Sequence, residues 1–179
     1  MGYHHVAFAT RDLDATHRFY TEAMEFRLVK ANVAPTGAPG GGWAKHLFYD
    51  TGDGTLLAFW DLHDETIPPD FDPALSTGLG LPDWVNHIAF DAPSLEDLAA
   101  RCRRWQEFGI TVAELDHGWC RSIYATDPNG VLVEFCCTTE PMSEGDAVQA
   151  ELARVTPHPP LESLPKITAH PALARDGAS

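Results

Sequence analysis

Apolar and polar positions follow a pattern along this chain that is written twice. The segment "YHHVAFATRDLDATHRFYTEAMEF" opens with a short alternating run and passes a polar turn. It continues with apolar residues at Leu13, Phe19, Tyr20, Met24 and Phe26, which predicts a strand followed by an amphipathic helix. "VNHIAFDAPSLEDLAARCRRWQEFGI" repeats the plan: a shift of 82 positions lays His5 on His87, Ala7 on Ala89, Phe8 on Phe90, Leu13 on Leu95 and Phe26 on Phe108. Asp12 and Ser94 stand where the two helices begin and can cap them. With a shift of 76, "KHLFYDTGDGTLLAFWDL" overlays "RSIYATDPNGVLVEFCCT", so that Gly54 falls on Gly130, Leu57 on Val133 and Phe59 on Phe135. "TGDG" and "DPNG" have the composition of hairpin turns, with Gly supplying positive φ.

Each copy therefore predicts a strand, a helix and about three further strands, and internal repetition governs the fold class. The expectation is α+β, with two tandem βαβββ modules at residues 1–62 and 85–139. Residues 63–84, "HDETIPPDFDPALSTGLGLPDW", form a Pro- and Gly-punctuated linker. Residues 140–179 are a C-terminal extension ending in the Pro-rich "VTPHPPLESLPKITAHPALARDGAS". One short helix is expected around Ala147 to Ala153, and the remainder reads as a disordered tail or an arm lying on a partner subunit.

With 179 residues, 44% of them hydrophobic, the chain is long enough to bury a real core. A formal charge of −14 with only 12 Lys and Arg excludes the basic surface that nucleic-acid binding needs. The four cysteines show no Cys-x-x-Cys spacing, and Cys136 and Cys137 point to opposite faces of one predicted strand. Free thiols in a reducing cytosol are expected. The start "MGYHHVAFAT" lacks a basic, then apolar leader, and no apolar run reaches membrane-spanning length, so a soluble cytoplasmic protein without a membrane partner is expected.

In a strand, residues two apart share a face. His5 then lies with Tyr3 and Ala7, His87 with Ala89 and Asp91, and Glu134 with Leu132 and Cys136. His4 points the other way and is expected to be exposed. Glu134 sits in the apolar run "VLVEF", where an ionised carboxylate is costly without a cation. His5 and His87 are equivalent positions of the two copies, while the equivalent of Glu134 is Ala58. If the copies face one another about a pseudo-twofold axis, His5, His87 and Glu134 meet as two imidazoles and one carboxylate. That is the ligand set of non-haem Fe(II) oxygenases, with coordination positions left open.

At "HHVAFATRDLDATHRFYTEAMEF", "NHIAFD" and "YATDPNGVLVEF" the sequence resembles the vicinal oxygen chelate superfamily, over about residues 3 to 139. That superfamily includes glyoxalase I, fosfomycin- and bleomycin-resistance proteins and type I extradiol dioxygenases. The resemblance implies a cupped mixed sheet around a divalent metal, with ligands at His5, His87 and Glu134. Ala58 stands where glyoxalase I keeps a fourth protein ligand. The stretch "FCCTTEPMSEGDA" offers no basic residue of the kind fosfomycin enzymes place after the Glu strand. Extradiol dioxygenases carry a tyrosine ten residues before the glutamate, and Tyr124 holds that place, with Phe48 as its equivalent in the first copy. They also use histidine acid–base groups, for which His117 and His46 are the candidates.

The resemblance thus implies an Fe(II) extradiol ring-cleaving dioxygenase acting on a catecholic substrate with O₂, and a homodimer. Trp43, Phe48, Trp60 and Trp119 are the candidates for an aromatic substrate pocket. Mn(II), Ni(II) or Zn(II) would instead fit a lyase, isomerase, glyoxalase or thiol transferase of the same superfamily. A metal-free protein that sequesters a small aromatic ligand is the alternative outside enzymes.

Overall fold

The computed structural model describes residues 2–174. It divides into two compact units, one comprising the chain up to Ile88 with Ala125–Val133, the other Ala89–Tyr124 with the chain from Glu134 onward.

Unit 1 is built on a four-stranded sheet in the order β1-β4-β3-β2. Strand β1 (His5–Thr10) runs parallel to β4 (Leu56–Asp64), which pairs antiparallel with β3 (Gly42–Asp50), and β2 (Arg27–Pro35) forms the edge. The helix predicted after β1 forms as α1 (Leu13–Arg18), and Asp12 Oδ1 caps it by accepting from the Ala15 N–H at 2.9 Å. It then widens into a π-helical turn over Phe19–Ala23. The extra residue per turn points Phe19, Tyr20, Ala23, Met24 and Phe26 inward together, each at most 4% exposed. Tyr20 and Phe59 rings meet at 4.7 Å, so the odd-numbered side of β4 faces the helix. Each large side chain buried there contributes about 1.5–3 kcal/mol.

The "DPNG" turn also belongs to unit 1, held by a buried polar network. Tyr20 Oη donates to Asp127 Oδ2 at 2.9 Å, and Asn129 Nδ2 donates to the same oxygen at 3.0 Å and to Thr16 Oγ1 at 3.1 Å. Asp127 Oδ1 accepts the backbone N–H groups of Asn129 and Val131, both at 2.8 Å. Burial pushes the Asp127 carboxyl above its ordinary value, against the pull of these hydrogen bonds.

The second sheet has five strands in the order β5-β8-β7-β6-β9. They are β5 (His87–Asp91), β6 (Val112–Asp116), β7 (Cys120–Thr126), β8 (Leu132–Thr138) and β9 (Lys166–His170). Helix α2 (Leu95–Phe108), capped by Ser94 Oγ on the Asp97 N–H at 3.1 Å, covers one face. Trp105 is fully buried, 5.4 Å from the ring of Phe135, which also meets Phe90 at 5.8 Å. Phe90 and Phe135 thus mark the helix side, and the alternation puts His87, Ala89 and Asp91 of β5, and Glu134 and Cys136 of β8, on the other.

Within the linker, Ser76 Oγ accepts the Asn86 N–H at 2.7 Å, and Asn86 Nδ2 donates to the Leu75 carbonyl at 2.7 Å. In the extension the short helix expected around Ala147 to Ala153 forms as α3 (Glu144–Val155), and in place of a disordered tail the chain returns as β9, pairing antiparallel with β6 from Val112↔His170 to Asp116↔Lys166. The edge of β6 offered unpaired N–H and C=O groups, and "KITAH" supplies a partner between prolines. Residues 175–179 of the expected extension lie outside the described residues. Among the described residues no helix is long and apolar enough to cross a membrane.

Candidate functional site

In unit 2, the hairpin of β7 and β8 places Tyr124 opposite Glu134. The Asp127 N–H bonds the Val131 carbonyl at 2.9 Å, and counting outward from that pair brings residues 124 and 134 level. Glu134 is buried, 5% exposed, on the side of β8 away from α2. His117 Nε2 lies 3.2 Å from Tyr124 Oη, and the imidazole tautomer sets which of the two donates. An exposed imidazole, a half-buried phenol and a buried carboxylate thus follow one another along this face.

Burial pushes the Tyr124 phenol well above its ordinary value; Ser122 opposes this and the Glu134 charge adds to it. Tyr124 therefore stays protonated and acts as a hydrogen-bond donor. Cys120, Ser122 and Cys136 share this face, and burial drives the Cys120 thiol up to about 12. Sequence parity already placed Cys136 there, while Ser122 and Cys120 went unnoticed although even spacing from Tyr124 was the available signal.

In unit 1, His5, His46, Phe48 and Trp60 come together on the sheet face away from α1. The His46 ring stacks on Trp60 at 3.7 Å and meets Phe48 at 4.1 Å, while His5 lies 5.5 Å from Phe48 and 6.0 Å from His46 between ring centres. His46 is 8% exposed and its Nε2 has no hydrogen-bond partner among the described residues. Burial, and then the neighbouring His5, hold its imidazole below the ordinary value. Ala58 is fully buried between Ala7 and Phe48 in the register, so a methyl group occupies the place equivalent to Glu134. His4 is exposed as expected, yet its Nδ1 faces His5 Nδ1 at 2.8 Å.

Of the four aromatic pocket candidates, Phe48 and Trp60 share one face of the unit 1 sheet. Trp43 lies on the opposite face of β3 from Phe48, because odd and even positions of one strand diverge; it stacks on His63 at 3.9 Å and is 42% exposed. Trp119 belongs to the β6–β7 turn in unit 2, beside His117, with its carbonyl accepting the N–H groups of Thr139 and Glu140 at 2.9 and 3.0 Å.

Two imidazoles and a carboxylate are chemically suited to a divalent first-row metal ion. His5 and His87 fall in unit 1 and Glu134 in unit 2. Among the described residues no three His, Cys, Asp or Glu side chains gather into a group that could hold such an ion.

A family model, the Glyoxalase/Bleomycin resistance protein/Dioxygenase superfamily, matches residues 2–135. No curated protein sequence matches the chain. Among solved structures, the chain is similar to the fosfomycin resistance protein FosX from Listeria monocytogenes, at 20% identity over 78% of this chain and 94% of that one, with a TM-score of 0.54. It is also similar to a glyoxylase/bleomycin resistance protein/dioxygenase domain from a Frankia species, at 17% identity over 77% and 98% with a TM-score of 0.56. Lactoylglutathione lyase from Agrobacterium tumefaciens follows at 21% identity over 76% and 92%, with a TM-score of 0.50. The Listeria protein has also been crystallised with Mn(II) and sulfate. At such identities the likeness is one of fold, and function must be argued from the site. The doubled βαβββ plan, the two sheets and the match over residues 2–135 lead to one conclusion: the chain belongs to the glyoxalase/bleomycin resistance protein/dioxygenase superfamily, the vicinal oxygen chelate proteins.

Proposed function

We propose that the protein is a metal-dependent enzyme, an extradiol-type dioxygenase of catecholic substrates, with His5, His87 and Glu134 as the ligands of Fe(II). The observation that carries this reading is the row His117–Tyr124–Glu134, in which Nε2 stands 3.2 Å from the phenol and the phenol lies level with the carboxylate across the hairpin. A tyrosine kept protonated beside a candidate metal ligand, and backed by an exposed imidazole, suits a substrate whose hydroxyl protons must be handled during reaction.

When bound, Fe(II) would supply Lewis acidity toward the diol and redox contact with O₂. The chain's own residues hold the protons. Tyr124 Oη donates a hydrogen bond to a substrate oxygen. His117, open to solvent and 3.2 Å from Tyr124 Oη, is placed to act as the acid or base beside the phenol. His46, on the face of unit 1, is the other histidine available for acid–base work.

The test is anaerobic loading with Fe(II), followed by a panel of catechols in air. O₂ uptake with a yellow ring-opened product is expected. Turnover without O₂ would point to a Lewis-acid lyase, isomerase or transferase, and failure to bind any divalent metal would point to a ligand-sequestering protein; either outcome overturns the proposal. Tyr124→Phe is expected to lower kcat roughly 100-fold while Fe(II) content, by elemental analysis, stays unchanged.

A further inference from the structure

The superfamily match stops at residue 135, yet the chain goes on to build α3 and β9. Both ends of this extension fasten onto the β6–β7 turn. At its start, Thr139 Oγ1 donates to the Gly118 carbonyl at 2.9 Å, beside the N–H bonds of Thr139 and Glu140 to Trp119. At its return, Lys166 pairs with Asp116, and the strand is locked further along by His170 Nε2 on Glu114 Oε2 at 2.7 Å and by Gln106 Nε2 on the Pro171 carbonyl at 2.8 Å.

Between turn and extension lies a cleft of about 430 Å³, walled by residues 116–119 on one side and 162–166 on the other. That volume is within the range of small-molecule sites. His117, 3.2 Å from Tyr124 Oη, lines it, and so does Trp119, a residue 45% exposed. Leu164 and Pro165 add apolar surface from the extension.

Among the charged lining residues, Asp116 and Glu162 are negative and Lys166 is positive, which leaves one net negative charge. An anionic ligand is therefore disfavoured. A ring with hydroxyl groups answers the site better, with its plane on Trp119 and its hydroxyls toward His117.

We propose that the C-terminal extension forms a wall of the substrate site and selects neutral, hydroxylated planar rings that stack on Trp119. The proposal rests on the functional reading above in taking His117 as part of the site.

Catechol and 3,4-dihydroxybenzoate are titrated into the metal-free full-length protein, following tryptophan fluorescence. Catechol is expected to quench and to bind more tightly than the benzoate. Trp119→Ala is expected to weaken catechol binding about tenfold, and Leu164→Ala with Pro165→Ala about fivefold. Leu164 is 92% exposed, so the latter change leaves the fold intact. Unchanged catechol affinity in both variants, or tighter binding of the benzoate, overturns the proposal. The two readings fail separately. Catechol binding that depends on Trp119 without O₂ uptake by the Fe(II)-loaded protein removes the dioxygenase and keeps the cleft. O₂ uptake with unchanged KM in the Leu164/Pro165 variant removes the cleft and keeps the dioxygenase.

Discussion

Tyr20 buries its whole ring and yet spends its hydroxyl on Asp127, at 2.9 Å, so one residue joins α1's core to the "DPNG" turn. Replacing it by Phe keeps the packing and removes one donor to a buried carboxylate. A loss of about 1.5–3 kcal/mol in unfolding free energy is expected by chemical denaturation, the amount usual for hydrogen bonds to charged groups. His46 supports a prediction of a different kind. Its imidazole titrates below the ordinary value in the fold, so the unfolded chain takes up a proton first as pH falls. Stability from this group is full above an unfolded value of about 6.5 and is lost as pH drops from there through the folded value. Thermal melts from pH 8 to pH 5 should show a decline that His46→Phe reduces. Both residues were visible in sequence, Tyr20 as a core position and His46 as a candidate acid or base. Neither partner was visible: Asp127 lies 107 positions from Tyr20, and the stacking of His46 on Trp60 needs the β3–β4 register.

The elements themselves were largely legible. Strand, helix and hairpin signals stand where the structure has them, because local periodicity and capping residues act over a few positions. The two hairpin-type glycines Gly130 and Gly118 show where local information ends. Both have positive φ, +74° and +86°, so Ala at either costs about 1–2 kcal/mol. At Gly118 an added Cβ meets nothing within 4 Å, whereas at Gly130 it meets Ala74 Cβ at 3.0 Å. Gly130→Ala should therefore lower Tm more than Gly118→Ala. The last strand of the extension was not legible: the prolines around "KITAH" read as a disordered tail or an arm on a partner, and only the free edge of β6 gives that segment a strand to pair with. Trp43 is the opposite case, since parity within β3 alone separates it from Phe48.

At the scale of the molecule, the described surface leaves large apolar groups in water, among them Tyr3, Val33 and Trp84 at 83, 66 and 67% exposure. The resemblance implies a homodimer, in which such groups would be covered. Sedimentation at micromolar concentration should give twice the chain mass, and a monomer at every concentration would remove that proposal. The sequence by itself determined the doubled βαβββ plan, the superfamily and the short list of chemical residues, because repeats, turns and strand parity are written locally. Tertiary structure decided which of them meet. It set His117 on Tyr124 and Tyr124 across the hairpin from Glu134, packed His46 against Trp60, turned Trp43 away, and folded the extension back onto β6. Those outcomes depend on register and on edges left unpaired by distant strands, and such long-range pairings carry no mark in any short stretch of the chain.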